Sequence, residues 1–228
     1  MCVQPLARRQ QTMPTKAEII SRLINPGVIA VIRAKRADQA LPIAEPLITG
    51  GVIAVEITMT TPDAINAIRN ASAKLGDRGL LGVGTVLDAK TCRAAIEAGA
   101  QFVVSPICRP EIAKAANELQ KPVMLGAYTP TEAQLAYESG SDFIKIFPAD
   151  GLGPNYIKAL RAPLPHLKIV PTGGVDLKTI GEFFKAGCAA AGAGSSLVSK
   201  AILDTDDWST LTKVAAEFAQ AAKSAKSA

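Results

Sequence analysis

LITGGVIAVEIT (47–58), IEAGAQFVVSP (96–106), YESGSDFIKIFPA (137–149) and FKAGCAAAGAGSS (184–196) share one grammar. In each, a helical run ends at a glycine and an apolar strand follows almost at once. A glycine there takes the left-handed backbone that closes a helix at little steric cost, and Gly50, Gly99, Gly140 and Gly187 fit that position. Such a repeat implies stacked βα units.

Working outward, the remaining apolar runs complete eight strand candidates. They are VIAVIR from Val28, AVEIT from Ala54, LLGVGT from Leu80, FVVSP from Phe102, PVMLGAY from Pro122, FIKIFPA from Phe143, KIVPTGG from Lys168 and AAAGAG from Ala189. Most are continuous rather than alternating, as strands buried on both faces should be. Eight units in 228 residues predict an α/β fold of the closed (β/α)8 TIM-barrel type before an open sheet. TKAEIISRLI (15–24) adds an N-terminal helix, with Thr15 as cap and Glu18 three residues on. SSLVSKAI (195–202) and WSTLTKVAAEFAQAA (208–222) read as closing helices. The expected organisation is therefore a disordered tail over 1–13, one barrel domain over 14–222 and a frayed end over 223–228. Two features fit poorly. Pro42 and Pro46 interrupt the helix after the first strand, and AAAGAG has weak strand propensity.

Composition narrows the function. A hydrophobic content of 48% suffices for one sizeable core. The net charge of +5 suits an anionic ligand, but the cations are scattered and leave no nucleic-acid footprint. No apolar run is long enough to span a bilayer, and residues 1–13 lack the apolar stretch of a signal peptide. Their Arg8 and Arg9, without acids, suggest an organelle-targeting segment only faintly beside a plain extension. Cys2, Cys92, Cys108 and Cys188 lie far apart with no CxxC spacing, which reads as a reducing cytoplasm. The single histidine, His166, cannot build a multi-histidine zinc or iron site, which leaves open only a magnesium site of carboxylates and water; the expectation is no metal and no cofactor.

Charges inside apolar strands carry the most information, because an unpaired buried charge costs several kcal/mol and cores exclude it. Lys145 is embedded in Phe143, Ile144, Ile146 and Phe147, and Glu56 in Ala54, Val55, Ile57 and Thr58. By the two-residue period Lys145 points the same way as the two phenylalanines. A desolvated lysine can be a neutral amine able to attack a ketone, and a desolvated carboxyl can carry protons between steps. From strand context alone, a buried Lys145–Glu56 salt bridge without chemistry stays open.

PTGGV (171–175) ends the seventh strand and GAGSS (192–196) the eighth, where glycines let backbone amides face an anion and barrels often hold phosphate. Arg33, ending VIAVIR, can grip a carboxylate with its planar fork, or be a solvated arginine beside Lys35 and Arg36. Thr85 and the Ser105–Pro106 pair end strands on the same rim. Thr129–Pro130 reads as a helix cap with proline in the first turn. Cys108 has no histidine base close in sequence.

VIAVIRA, VEITMTTPDA, GVGTV, FVVSP, YTPTEA, FIKIFPA, GPNYIKAL, PTGGV and GAGSSLV occur in this order over about residues 18–200. So ordered, the chain resembles the 2-keto-3-deoxy-6-phosphogluconate and 4-hydroxy-2-oxoglutarate aldolases. The resemblance implies a metal-free class I aldolase of the Entner–Doudoroff pathway, usually a homotrimer, that splits a phosphorylated keto sugar acid into pyruvate and glyceraldehyde 3-phosphate. It implies Lys145 as the Schiff-base lysine and Glu56 as an acid/base working through water. Arg33 and Thr85 would hold the pyruvate carboxylate, with Pro106 and Phe147 shaping the pocket. Thr172, Gly173, Gly174, Gly194 and Ser195 would bind phosphate. Some members carry an arginine where this chain has Thr60, and Leu125–Gly126 stands where the family often shows proline and glycine. The relative acting on the galactonate epimer has similar strings, and PTGGV resembles the gluconate series slightly better. Two other classes compete with this reading: an isomerase or synthase on a phosphate-binding barrel, and a non-catalytic phosphosugar-binding barrel.

Overall fold

The computed structural model describes residues 14–227. Its strands are β1 (Val28–Ile32), β2 (Ala54–Thr58), β3 (Leu80–Gly84), β4 (Phe102–Val104), β5 (Val123–Ala127), β6 (Phe143–Ile146), β7 (Ile169–Pro171) and β8 (Ala191–Ala193). The helices are α1 (Lys16–Ile24), α2 (Ala40–Thr49), α3 (Ala64–Leu75), α4 (Ala89–Glu97), α5 (Pro110–Glu118), α6 (Pro130–Glu138), α7 (Gly153–Arg161), α8 (Ile180–Lys185), α9 (Lys200–Thr205) and α10 (Trp208–Ser227). Strands pair in parallel and in chain order from β1 to β7, and β8 returns to lie beside β1. A bridge between Thr172 and Gly192, with the Ala189 amide donating to the Ile169 carbonyl at 2.9 Å, brings β7 and β8 together. The expected (β/α)8 barrel with an N-terminal helix is the architecture found.

Alternation along each strand divides the apolar residues between two cores. Val28, Ala30 and Ile32 of β1, Val55 and Ile57 of β2, and Ile144 and Ile146 of β6 pack outward under the helices. Ile29, Ala54, Leu80, Phe102, Met124 and Phe143 form a smaller core inside the barrel. This double burial is why the strands read as unbroken apolar runs. Ile19 and Leu23 of α1 are fully buried in that inner core and seal its N-terminal end. Each such side chain contributes roughly 1.5–3 kcal/mol of burial free energy. The capping box starts α1, with the Thr15 amide donating to Glu18 Oε2 at 2.7 Å and the Glu18 amide to Thr15 Oγ1 at 3.3 Å. A second box at Thr129 and Glu132, with Pro130 in the first turn, starts α6.

Several local expectations are corrected. Gly99, Gly140 and Gly187 have positive φ, but Gly50 has φ −76° and Gly51 takes φ +92° instead. Gly50 serves close packing: a Cβ there would come within 2.5 Å of the Thr212 carbonyl and 2.6 Å of Ala215 Cβ on α10. Pro42 falls in the first turn of α2, where an absent N–H loses no bond, and Pro46 lies inside the helix. The segment after GAGSS is not helical at once. Leu197 and Val198 donate to the Gly194 carbonyl at 3.0 and 2.8 Å in a tight turn, and α9 begins at Lys200 with Ser199 as cap. Residues 223–227 continue α10 rather than fraying, because Lys226 Nζ hydrogen-bonds the carbonyls of Ile24 and Ala189 and lies 4.6 Å from the Phe184 ring centroid. The expected tail over 1–13 lies outside the described residues. Among the described residues no helix is long and apolar enough to cross a membrane.

Candidate active site

Two residues above the inner core, the same inward faces change chemistry. Phe143 is followed inward by Lys145 and Ala54 by Glu56, and both charged residues are buried, at 5% and 2% exposure. Glycines stand on the neighbouring strands at these levels. Gly82 lies beside Glu56 in register and Gly126 beside Lys145. A Cβ on Gly84 would overlap the Glu56 carboxyl, and one on Gly82 would overlap the Phe102 ring. One on Gly126 would overlap the Pro106 carbonyl, so Gly126 admits the loop after β4 against β5.

The electrostatics follow from burial. Desolvation lowers the Lys145 pKa, Glu56 opposes that by stabilising the cation, and Arg33 reinforces it. Desolvation raises the Glu56 pKa, against the pull of Lys145 and then of Arg33. Glu56 Oε1 is buried without a hydrogen-bond partner among the described residues. Among the described residues no ion pair joins Lys145 to Glu56. A simple buried salt bridge is therefore not what the two residues form. Lys145 Nζ lies 4.9 Å from the centroid of the Phe147 ring. The arrangement offers a weakly basic amine beside a carboxyl with free hydrogen-bonding capacity.

A cavity of about 210 Å³ opens where the late strands end, and Arg33, Phe147, Thr172, Gly173, Gly174, Gly194 and Ser195 line it. Gly173 and Gly174 have φ +96° and +68°, a backbone that L side chains rarely adopt. The amides of Gly173, Gly174, Ser195 and Ser196 have no protein acceptor among the described residues and remain free for an anion. Arg33 is exposed, makes no hydrogen bond or ion pair among the described residues, and has Nη1 3.3 Å from where a Gly194 Cβ would sit. Lys145, Glu56, Thr85 and Pro106 do not line this cavity. Thr85 holds φ +61° directly after β3, a strained conformation for a β-branched residue.

Sequence reasoning missed Val31 and Asp176, which also line the cavity, and named Val175, Gly192 and Ser196 only as parts of the PTGGV and GAGSS segments. It also missed the inward glycines that admit the Glu56 carboxyl, the Phe102 ring, the Pro106 loop and Thr172. Their signal was available: Gly82, Gly84, Gly126 and Gly192 occupy inward positions by the same period that places Lys145. Asp176 has an internal role, since Lys178 and Thr179 amides donate to its Oδ1 at 2.8 and 2.9 Å. His166 is exposed, packs edge-on against Tyr137 at 4.6 Å, and has Nε2 3.1 Å from Gln134 Oε1. Burial raises the Cys108 thiol pKa, which weakens it as a nucleophile.

A family model for KDPG and KHG aldolase matches residues 19–214. The 2-dehydro-3-deoxy-phosphogluconate aldolase of Pseudomonas aeruginosa is 35% identical over 191 residues, which cover 83% of this chain and 86% of that protein. The 2-dehydro-3-deoxy-6-phosphogalactonate aldolase of Escherichia coli is 37% identical over 171 residues, covering 75% and 83% respectively. The crystal structure of KDPG aldolase from Legionella pneumophila, with pyruvate captured at low pH as a covalent carbinolamine intermediate, superposes with a TM-score of 0.78 at 32% identity. That match covers 83% of this chain and 92% of the other.

Proposed function

The chain belongs to the KDPG and KHG aldolase family of class I carbon–carbon lyases, and from that premise we propose that it cleaves 2-keto-3-deoxy-6-phosphogluconate through an imine on Lys145. The observation that carries the proposal is the buried Lys145 near a Glu56 carboxyl oxygen that has no hydrogen-bond partner among the described residues.

The neutral Lys145 amine adds to the C2 ketone, giving a carbinolamine that loses water to form the iminium. Glu56, through a water molecule, takes the proton from the C4 hydroxyl. The C3–C4 bond then breaks, its electron pair flows into the iminium as an enamine, and glyceraldehyde 3-phosphate leaves. Glu56 returns the proton to C3, and water releases pyruvate and regenerates the amine. A carboxyl with a pKa raised by burial suits this two-way proton traffic. Arg33 and Thr85 hold the keto-acid carboxylate, and Pro106 and Phe147 shape the pyruvate pocket. The free amides around Gly173, Gly174, Gly194 and Ser195, with Thr172, take the phosphate.

The gluconate epimer is chosen over the galactonate epimer because the PTGGV segment, whose Thr172 lines the cavity, resembles the gluconate enzymes slightly better. A homotrimer in a reducing cytoplasm is proposed with it, in keeping with the exposed Leu87, Ile107, Tyr128 and Leu135 and the free thiols of Cys92, Cys108 and Cys188. Pyruvate release from both epimers and from 4-hydroxy-2-oxoglutarate tests the substrate. The expected kcat/KM favours the gluconate substrate by at least roughly tenfold. Equal or faster turnover of the galactonate epimer would refute that choice.

A further inference from the structure

Among the described residues the Arg33 guanidinium makes no hydrogen bond or ion pair, yet its backbone is held on both sides. On one side Thr58 Oγ1 donates to the Ile32 carbonyl at 3.0 Å. On the other the Ala34 amide donates to Thr61 Oγ1 at 3.2 Å. Both threonines are buried, at 0% and 2% exposure, in a segment whose only sequence neighbours are the end of β2 and the turn after it. The turn is itself closed by the Thr61 amide on the Thr58 carbonyl at 2.9 Å, and tied to β3 by the Met59 amide on the Gly84 carbonyl at 2.8 Å.

Proton counting orders the network. Thr58 has one hydroxyl proton, and the Ile32 carbonyl can only accept it. The 2.7 Å contact between Thr58 and Thr60 hydroxyls must therefore have Thr60 as donor. A directed chain runs from Thr60 through Thr58 to Ile32, while Thr61 accepts from Ala34. The Ile32 carbonyl belongs to the peptide plane before Arg33, and the Ala34 amide to the plane after it. With both planes pinned, φ and ψ of Arg33 are fixed together, although its side chain is free.

We propose that Thr58 and Thr61 are positioning residues that aim Arg33 at the carboxylate of the bound keto acid. The inference rests on the carboxylate role of Arg33 proposed above. Neither threonine needs to touch substrate. An exposed arginine on an unpinned strand end would sample many directions, and each anion bound would have to restrict both backbone and side chain.

The test uses pyruvate alone as probe, reading the pyruvate concentration that half-saturates borohydride inactivation, together with kcat and KM for cleavage. Thr61→Val is expected to raise both KM and the half-saturating pyruvate concentration by about tenfold, with kcat changed by less than about threefold. Thr61→Ser, which keeps the acceptor, should restore both. Thr58→Val probes the carbonyl side and keeps the test open if one variant does not fold. In an Arg33→Ala background the Thr61→Val effect should vanish, because nothing remains to be aimed. If Arg33→Ala leaves pyruvate affinity unchanged, the carboxylate role itself fails and the bracket fails with it. If Arg33→Ala weakens pyruvate but the threonine variants do not, or if their effects multiply independently, the bracket alone is overturned.

Discussion

The two ends of the barrel interior are built from the same strands on the same inward faces, two residues apart, yet they obey opposite rules. At the N-terminal end Phe102, Phe143 and Leu80 fill the space and α1 closes it with Ile19 and Leu23. At the C-terminal end the corresponding positions of β3, β5 and β8 are Gly82, Gly126 and Gly192, whose room goes to the Phe102 ring, the Pro106 loop and Thr172, while Gly84 leaves room for the Glu56 carboxyl. The difference teaches that stability and chemistry are separated by layer rather than by element. Packing density at one end tolerates a deliberately polar, under-satisfied layer at the other.

That separation is open to attack, first where the effect is largest. Glu56→Gln keeps the shape and removes the proton carrier, so kcat should fall by about 10²–10⁴-fold while the protein stays folded. Its pH behaviour is signed. Because burial raises the Glu56 pKa above 4.5, the folded state binds that proton more tightly than the unfolded state. The resulting stabilisation is fully present below pH 4.5 and is lost as pH rises through the folded-state pKa. Urea melts should therefore show wild type losing stability relative to Glu56→Gln over that interval; parallel curves would contradict the burial effect. For Lys145 the sign is opposite, since its depressed pKa makes stability rise with pH between the folded-state value and 10.5.

Phe143→Ala, in the sealed layer, should cost roughly 3–5 kcal/mol by denaturant titration and leave KM of the folded fraction unchanged. A large KM change would mean that the layers are not independent. Gly84→Ala sharpens the other side. Its Cβ must displace the Glu56 carboxyl, so kcat should drop by about 10²-fold, the loss expected from misplacing a reacting group by about 1 Å. The smallest effect belongs to the outside. Lys226→Met removes the cation that meets the α1 C-terminal carbonyl of Ile24, and the melting free energy should fall by about 0.5–1 kcal/mol with no kinetic change.

Most of the fold was legible because four of the βα units repeat the same punctuation, and because double burial leaves strands that cannot be mistaken for polar surface. Even the weak AAAGAG strand was placed by its position in the repeat, though only Ala191–Ala193 pairs. Lys145 and Glu56 were legible because period-two alternation puts a charge where Phe143 and Ala54 demand apolar neighbours. What escaped depended on partners distant in sequence. Gly50 does end α2, but the left-handed backbone falls to Gly51 and Gly50 is held by the packing of α10, and the late start of α9 turned on the Gly194 carbonyl capturing two amides. The roles of Thr58 and Thr61 are likewise relations between strands, invisible in any one of them.

The central claim is that the amine of Lys145 forms an imine with the keto acid. Incubation with pyruvate and borohydride, followed by peptide mapping by mass spectrometry, tests it directly. The predicted result is a reduced pyruvyl adduct on the peptide containing Lys145, absent in Lys145→Ala. A folded protein that gains no adduct in excess pyruvate, or carries it on another lysine, would contradict the account and return the barrel to an isomerase or a phosphosugar-binding protein.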